Sequence, residues 1–149
     1  IAGYGIYANT NIVAGEVVFK GEGMEQRIIT RRHVEENWDD NEKEIFRKYA
    51  YPLSKEVFLL WDNDPSGWAP QNHSCEANTV YEGLNVIALK NIIVGEELTL
   101  NYAAFLDENM EPFNCQCGNA HCKGFITGIK NTSVTERETN VKNNAVSIL

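Results

Sequence analysis

No stretch of this chain is apolar for long enough to cross a bilayer: residues 57–61, VFLLW, form a run as long as any, against the roughly 20 residues that a spanning helix needs. A soluble protein is expected, with no membrane partner. Positive charge is also short. Against 21 acidic residues stand 13 basic ones, a formal net charge of -8, so a non-specific grip on a phosphate backbone is disfavoured and direct nucleic-acid binding is argued against. Either the acidity is of the ordinary kind or it is tuned for a cationic substrate. No methionine opens the sequence and no charged-then-apolar leader precedes its first motif, so Ile1 reads as a domain boundary. Cysteine is scarce, with four in the whole chain.

What is present fits one domain: 149 residues, 43% of them hydrophobic, allow a single core. NIVAGEVVF at 11–19 has a near-copy, NIIVGEELTL, at 91–100, and each copy passes through a Gly-Glu pair between short apolar stretches. Two β corners are expected, with Gly15 and Gly95 free to take positive φ. TVYEGLNVIAL at 79–89 reads as a hairpin, and LTLNY at 98–102 as another short strand. Between residues 30 and 50, Val34, Trp38, Ile45, Phe46 and Tyr49 recur at helical spacing behind a capping Thr30, with a polar break at 39–41. One or two helices follow, inserted between β regions. Beyond Thr127 the chain turns polar and reads as a solvated tail.

Cys115, Cys117 and Cys122 lie together in CQCGNAHC, and Cys75 stands alone in NHSCEAN at 72–78. A disulfide between residues 115 and 117 would be strained. A tetrahedral zinc ion takes four thiolates, and a turn containing Gly118 can supply three, with Cys75 the fourth. Binding would pin the late segment against the earlier one and contribute folding free energy. Two alternatives stand beside this reading: four separate thiols, or His121 as fourth ligand with Cys75 free.

GYGIYA at 3–8, NHSCEAN at 72–78, GEELTLNY at 95–102 and the cysteine pattern at 115–122 come in an order that resembles the SET-domain protein-lysine methyltransferases with a zinc-binding post-SET segment. The resemblance implies a mostly β fold of small curved sheets with a helical insert at about 24–60, and a C-terminal pseudoknot made by NHSC and GEELTLNY. It divides the chain into a SET domain at 1–112, a post-SET segment at 113–126 and a tail at 127–149. It implies S-adenosylmethionine as methyl donor, S-adenosylhomocysteine as product, one structural zinc, and a lysine of a basic protein such as a histone as acceptor. An intracellular location follows, nuclear in a eukaryote and cytoplasmic in a bacterium.

By similarity, Gly3, Tyr4, Gly5, Asn72 and His73 hold the cofactor, Phe113 and Gln116 extend that site, and Tyr102 is the catalytic tyrosine that also touches the cofactor. The chemistry agrees. Glycines let a ligand approach the backbone, an amide and an imidazole can satisfy polar atoms of a nucleoside, and a phenol oxygen presents partial negative charge to a cation. His73 can equally be a core histidine, and Tyr102 a core aromatic closing a strand. Two departures from the family pattern stand out: Ala77 replaces a usual proline, and Leu100 stands where many relatives have an aromatic residue, which leaves the number of methyl groups open. The competing function is a SET module without catalysis that binds protein partners.

Overall fold

The structure, a computed structural model, describes residues 5–61 and 71–128. Gly3, Tyr4, the turn-rich stretch after Trp61 and the tail from residue 129 lie outside the described residues.

Short strands dominate. β1 (Val17–Lys20) is followed by β2 (Arg27–Thr30), two helices, β3 (Tyr51–Pro52), β4 (Val57–Leu60), β5 (Asn72–His73), β6 (Thr79–Glu82), β7 (Asn85–Ala88), β8 (Thr99–Leu100), β9 (Phe113–Asn114) and β10 (Phe125–Ile126). They form four small sheets: β1-β7-β6, β2-β4-β3, β5-β8 and β10-β9. The expected hairpin is β6-β7, with Glu82 opposite Asn85 and Gly83 at φ 61° making the tight turn.

The polar break inside the insert is a helix start. Helix α1 (Arg31–Asn37) begins at Thr30, whose hydroxyl accepts from the His33 N–H at 3.2 Å. Helix α2 (Asp40–Tyr49) begins at Asp39, which accepts from the Glu42 N–H at 2.9 Å while the Glu42 carboxylate accepts from the Asp39 N–H at 3.0 Å. This reciprocal capping box satisfies two backbone donors that no helical carbonyl reaches. Val34 and Phe46 then point the same way, into a cluster with Phe58 and Leu60. A second cluster, Leu59, Trp61, Tyr81, Val86 and Leu100, lies on the other face of β4, as strand alternation requires.

The two near-copies meet each other. Ile12 and Ile92 exchange backbone hydrogen bonds of 2.8 Å in both directions. Asn11 Oδ1 accepts from the Val94 N–H at 3.0 Å, and Asn91 Oδ1 accepts from the Ala14 N–H at 2.9 Å. Gly15 and Gly95 both sit at φ 91°. In each corner the glutamate caps its own turn: Glu16 accepts from Val13 N–H at 3.1 Å and Glu96 from Ile93 N–H at 3.4 Å. The repeat is thus a pair of corners related by approximate two-fold symmetry, and it joins the chain's start to the segment that leads into β8.

Candidate active site

β5 and β8 run parallel, placing Asn72 opposite Thr99 and His73 opposite Leu100. Asn78, buried beside them, locks the second segment by donating to the Glu97 carbonyl at 2.8 Å and accepting from the Thr99 N–H at 2.9 Å. After β8, Asn101 caps a single 3-10 turn, Tyr102–Ala104. That turn carries Tyr102 out of the strand and against His73, the two rings edge to face with centroids 5.4 Å apart.

The Tyr102 N–H donates to His73 Nδ1 at 3.1 Å. An accepting ring nitrogen carries no proton, so the hydrogen of the neutral imidazole is on Nε2, 3.5 Å from Cys75 Sγ. Burial, aided by the Lys123 charge, pulls the His73 pKa down to about 4 and keeps the ring neutral. Both ring nitrogens therefore face protein partners, and the imidazole ties the Tyr102 backbone to the Cys75 sulfur.

The Tyr102 phenol donates to the Gln71 carbonyl. Burial first, then the neighbouring Tyr49 and Glu97, push its pKa up to about 12, so it is a neutral hydroxyl at ordinary pH. It lines a cleft of about 520 Å³, open mouth included, whose walls also contain Tyr49, Tyr51, Tyr81, Leu100 and Phe105. Tyr81 packs against Tyr51 and Phe105, with centroids 5.0 and 4.9 Å apart. Tyr51, Tyr81 and Phe105 are wall residues that no sequence motif marks, because they come from β3, β6 and the turn after β8. The one available signal was the density of aromatic residues at 49–61 and 102–105.

Asn72 donates its amide to Glu97 Oε1 at 2.7 Å. Gly5 sits against the same oxygen, and a Cβ there would lie 2.5 Å from it. Phe113 packs edge to face on His73 and Tyr102, at 5.4 and 6.1 Å. Gln116 is exposed and shares none of these contacts among the described residues. The structure thus gathers Gly5, Asn72, His73, Tyr102 and Phe113, and leaves Gln116 at the edge.

The four cysteines converge, with all four sulfurs within 4.8 Å of one another. Cys75 Sγ lies 3.8 Å from Cys115 Sγ and 3.9 Å from Cys122 Sγ. A tetrahedral ion with zinc–sulfur bonds of about 2.3 Å spaces its sulfurs about 3.8 Å apart, so the set fits zinc. Burial raises the Cys75 and Cys115 thiols, Cys115 to about 12. Burial also opposes ionisation of Cys117, but backbone donors of Asn119 and Cys75 outweigh it and bring that thiol down to about 6. His121 is not part of the cluster: its Nδ1 pairs with Glu76 at 2.7 Å, and its side chain is 87% exposed. Asn119 adds a second strap, donating to Ser74 Oγ at 2.8 Å.

Comparison with known proteins matches this arrangement. The SET domain family model matches residues 3–103. The chain is 30% identical over 136 residues to human Histone-lysine N-methyltransferase 2B, covering 85% of this chain and 5% of that protein. It is 29% identical over 158 aligned positions to the H3 lysine-36 specific histone-lysine N-methyltransferase of Coccidioides immitis, covering 99% and 15%. With the Variant-silencing SET domain-containing protein of Plasmodium falciparum the identity is 27% over 164 positions, covering 97% and 6%. The chain therefore spans a small part of the length of these relatives. The methyltransferase domain of human SETMAR shares the fold, with a TM-score of 0.57 at 19% identity over 87% of this chain and 55% of that one. With its small sheets, two helices and the match over residues 3–103, the chain belongs to the SET-domain family.

Proposed function

We propose that this chain is an S-adenosylmethionine-dependent protein-lysine N-methyltransferase acting on a basic protein segment such as a histone tail. The observation that carries the reading is the aromatic cleft ending at Tyr102 beside Asn72 and His73. Relatives named as histone-lysine N-methyltransferases support it, as does the net charge of -8, which would steer a cationic acceptor. The same relatives favour action inside the cell, in the nucleus of a eukaryote. Among the described residues no helix is long and apolar enough to cross a membrane.

The cofactor would rest on Gly3, Tyr4, Gly5, Asn72 and His73, with Tyr102, Phe113 and Gln116 closing around it, and leave as S-adenosylhomocysteine. When bound, S-adenosylmethionine supplies a methyl group on a positively charged sulfur. The chain's own residues must deliver an unprotonated lysine amine in line with it. Walls made of Tyr51, Tyr81, Leu100 and Phe105 disfavour the ammonium form, so the proton is lost to solvent before attack. Tyr102, held by Gln71, turns its oxygen lone pairs toward developing positive charge, and alignment supplies most of the acceleration. Cys75, Cys115, Cys117 and Cys122 would hold one structural zinc, whose four thiolates leave no open position for chemistry. Its effect is to fasten residues 113–126 over the site.

Incubation with methyl-labelled S-adenosylmethionine and a mixture of basic proteins tests the reading. Label is expected in protein acceptors with the native chain and nearly none with Tyr102→Phe. A chain that binds the cofactor and labels no acceptor overturns it in favour of a non-catalytic interaction module.

A further inference from the structure

Charge is nearly absent from the described walls of the aromatic cleft. One residue supplies it: Lys48, in the last turn of α2, lines the cleft together with Tyr49, Tyr81, Leu100 and Tyr102. The helix is seated there by its own pattern. Phe46 is buried in the cluster with Val34 and Phe58, and Tyr49 packs against the cluster of Leu59, Trp61 and Leu100, against which Tyr102 also packs. Tyr49 is near enough to help raise the Tyr102 pKa. Lys48 directly precedes Tyr49, so seating Tyr49 brings the Lys48 stem to the wall.

The ammonium itself is turned to a carboxylate. Lys48 Nζ lies 3.0 Å from Glu44 Oε1, one turn back on the same helix, and the side chain is 53% exposed. An apolar stem on the wall with a charged head in water is the usual compromise for lysine. The hold is weak, because an exposed i,i+4 pair contributes little. Rotation about the bonds of a flexible four-carbon stem carries Nζ from Glu44 toward the cleft with the helix unchanged. Glu44 raises the Lys48 pKa, through the hydrogen bond first and its charge second. Between the aromatic walls that support is gone and the neutral amine is favoured. The other described lysines, Lys20, Lys43, Lys55, Lys90 and Lys123, line no part of the cleft.

We propose that Lys48 is a self-modification site: its side chain, already on the wall of the cleft, swings in and takes a methyl group within its own chain. This rests on the methyltransferase reading and adds an acceptor to it. The Lys48 ammonium first gives one proton to solvent. The Nζ lone pair then bonds to the methyl carbon of S-adenosylmethionine as the carbon–sulfur bond breaks, and that bond's electron pair stays on sulfur as S-adenosylhomocysteine. The product is a secondary ammonium, which keeps the charge of Lys48. Because the nitrogen is tethered beside the reacting centre, it competes at high effective concentration with any lysine that must arrive from solution.

The test incubates the full chain with methyl-labelled S-adenosylmethionine, alone and with mixed histones, and maps the label by tandem mass spectrometry. Label is expected at Lys48 roughly tenfold or more above every other lysine of the chain, as tethering predicts. Its rate per chain should not change with protein concentration, and a size-tagged Tyr102→Phe chain in the same tube should stay unlabelled at Lys48. Glu44→Gln should speed the reaction roughly twofold, the hold of one exposed pair. A second readout needs no cofactor: reductive methylation with ¹³C-formaldehyde places methyl groups on the lysines, and those on Lys48 should show nuclear Overhauser contacts to the rings of Tyr102 or Phe105. Labelled histones with an unlabelled Lys48, label spread evenly over the lysines, label on the tagged chain, or no contact to either ring overturns the inference and leaves the methyltransferase reading standing. If neither the chain nor the histones take label, that reading itself fails and the inference falls with it.

Discussion

Replacing Cys75 by serine removes the one sulfur that comes from the early part of the chain. The remaining three cysteines lie within CQCGNAHC and can still gather around a metal ion, so the loss falls on the link between segments. Cys75 and Cys115 are 40 residues apart, and a cross-link closing a loop of that length removes about 4 kcal/mol of unfolded-chain entropy. The Asn119–Ser74 hydrogen bond and the exposed His121–Glu76 pair are common to both proteins and leave this difference unchanged. The variant should lose about 4 kcal/mol, a fall in melting temperature of about 12 °C for a chain of this size. Colorimetric zinc release with a chelating dye should show weakened metal binding, and limited proteolysis should cut within 113–126 before the rest of the chain. Unchanged melting temperature together with one zinc per chain at native affinity would refute the assignment of Cys75 as the fourth ligand.

Other consequences can be measured with the same protein. Tyr102→Phe should lower kcat about a hundredfold, as expected for removing one preorganised polar contact at the reacting centre, while cofactor affinity measured by calorimetry changes little. Because the folded Tyr102 pKa is raised to about 12 from an unfolded value of 10, its stabilising contribution is full below pH 10 and is lost as pH rises toward 12. Denaturant titrations should therefore show a shallower alkaline loss of stability in Tyr102→Phe than in the native chain. Gly21→Ala should cost about 3 kcal/mol in urea unfolding, since its Cβ would lie 2.1 Å from the Leu84 carbonyl oxygen, a backbone atom that cannot swing away. Asp39→Ala should cost about 1 kcal/mol by the same assay through loss of the α2 cap.

Local signals were legible where one residue settles one geometry. Thr30 announces α1, and Gly15 and Gly95 announce the corners. The polar 39–41 stretch announces an interruption whose nature, a capping box, follows from Asp39 and Glu42 three residues apart. The cysteine cluster was readable because four sulfurs have few other ways to be satisfied together. Long-range pairing was not readable in this way. Nothing local says that Tyr51, Tyr81 and Phe105 share a wall, since each is an ordinary aromatic residue in its own segment. The imidazole of His73 reads equally well as a ligand contact, and only the position of Tyr102 N and Cys75 Sγ shows where its two nitrogens go.

Tandem mass spectrometry of a histone mixture incubated with the full chain and S-adenosylmethionine tests the central claim most directly. Methyl groups on lysine Nζ, made by the native chain and missing with Tyr102→Phe, are the predicted result. A native chain that binds the cofactor and carries its zinc, yet leaves every lysine unmodified and places methyl groups elsewhere or nowhere, would contradict the account.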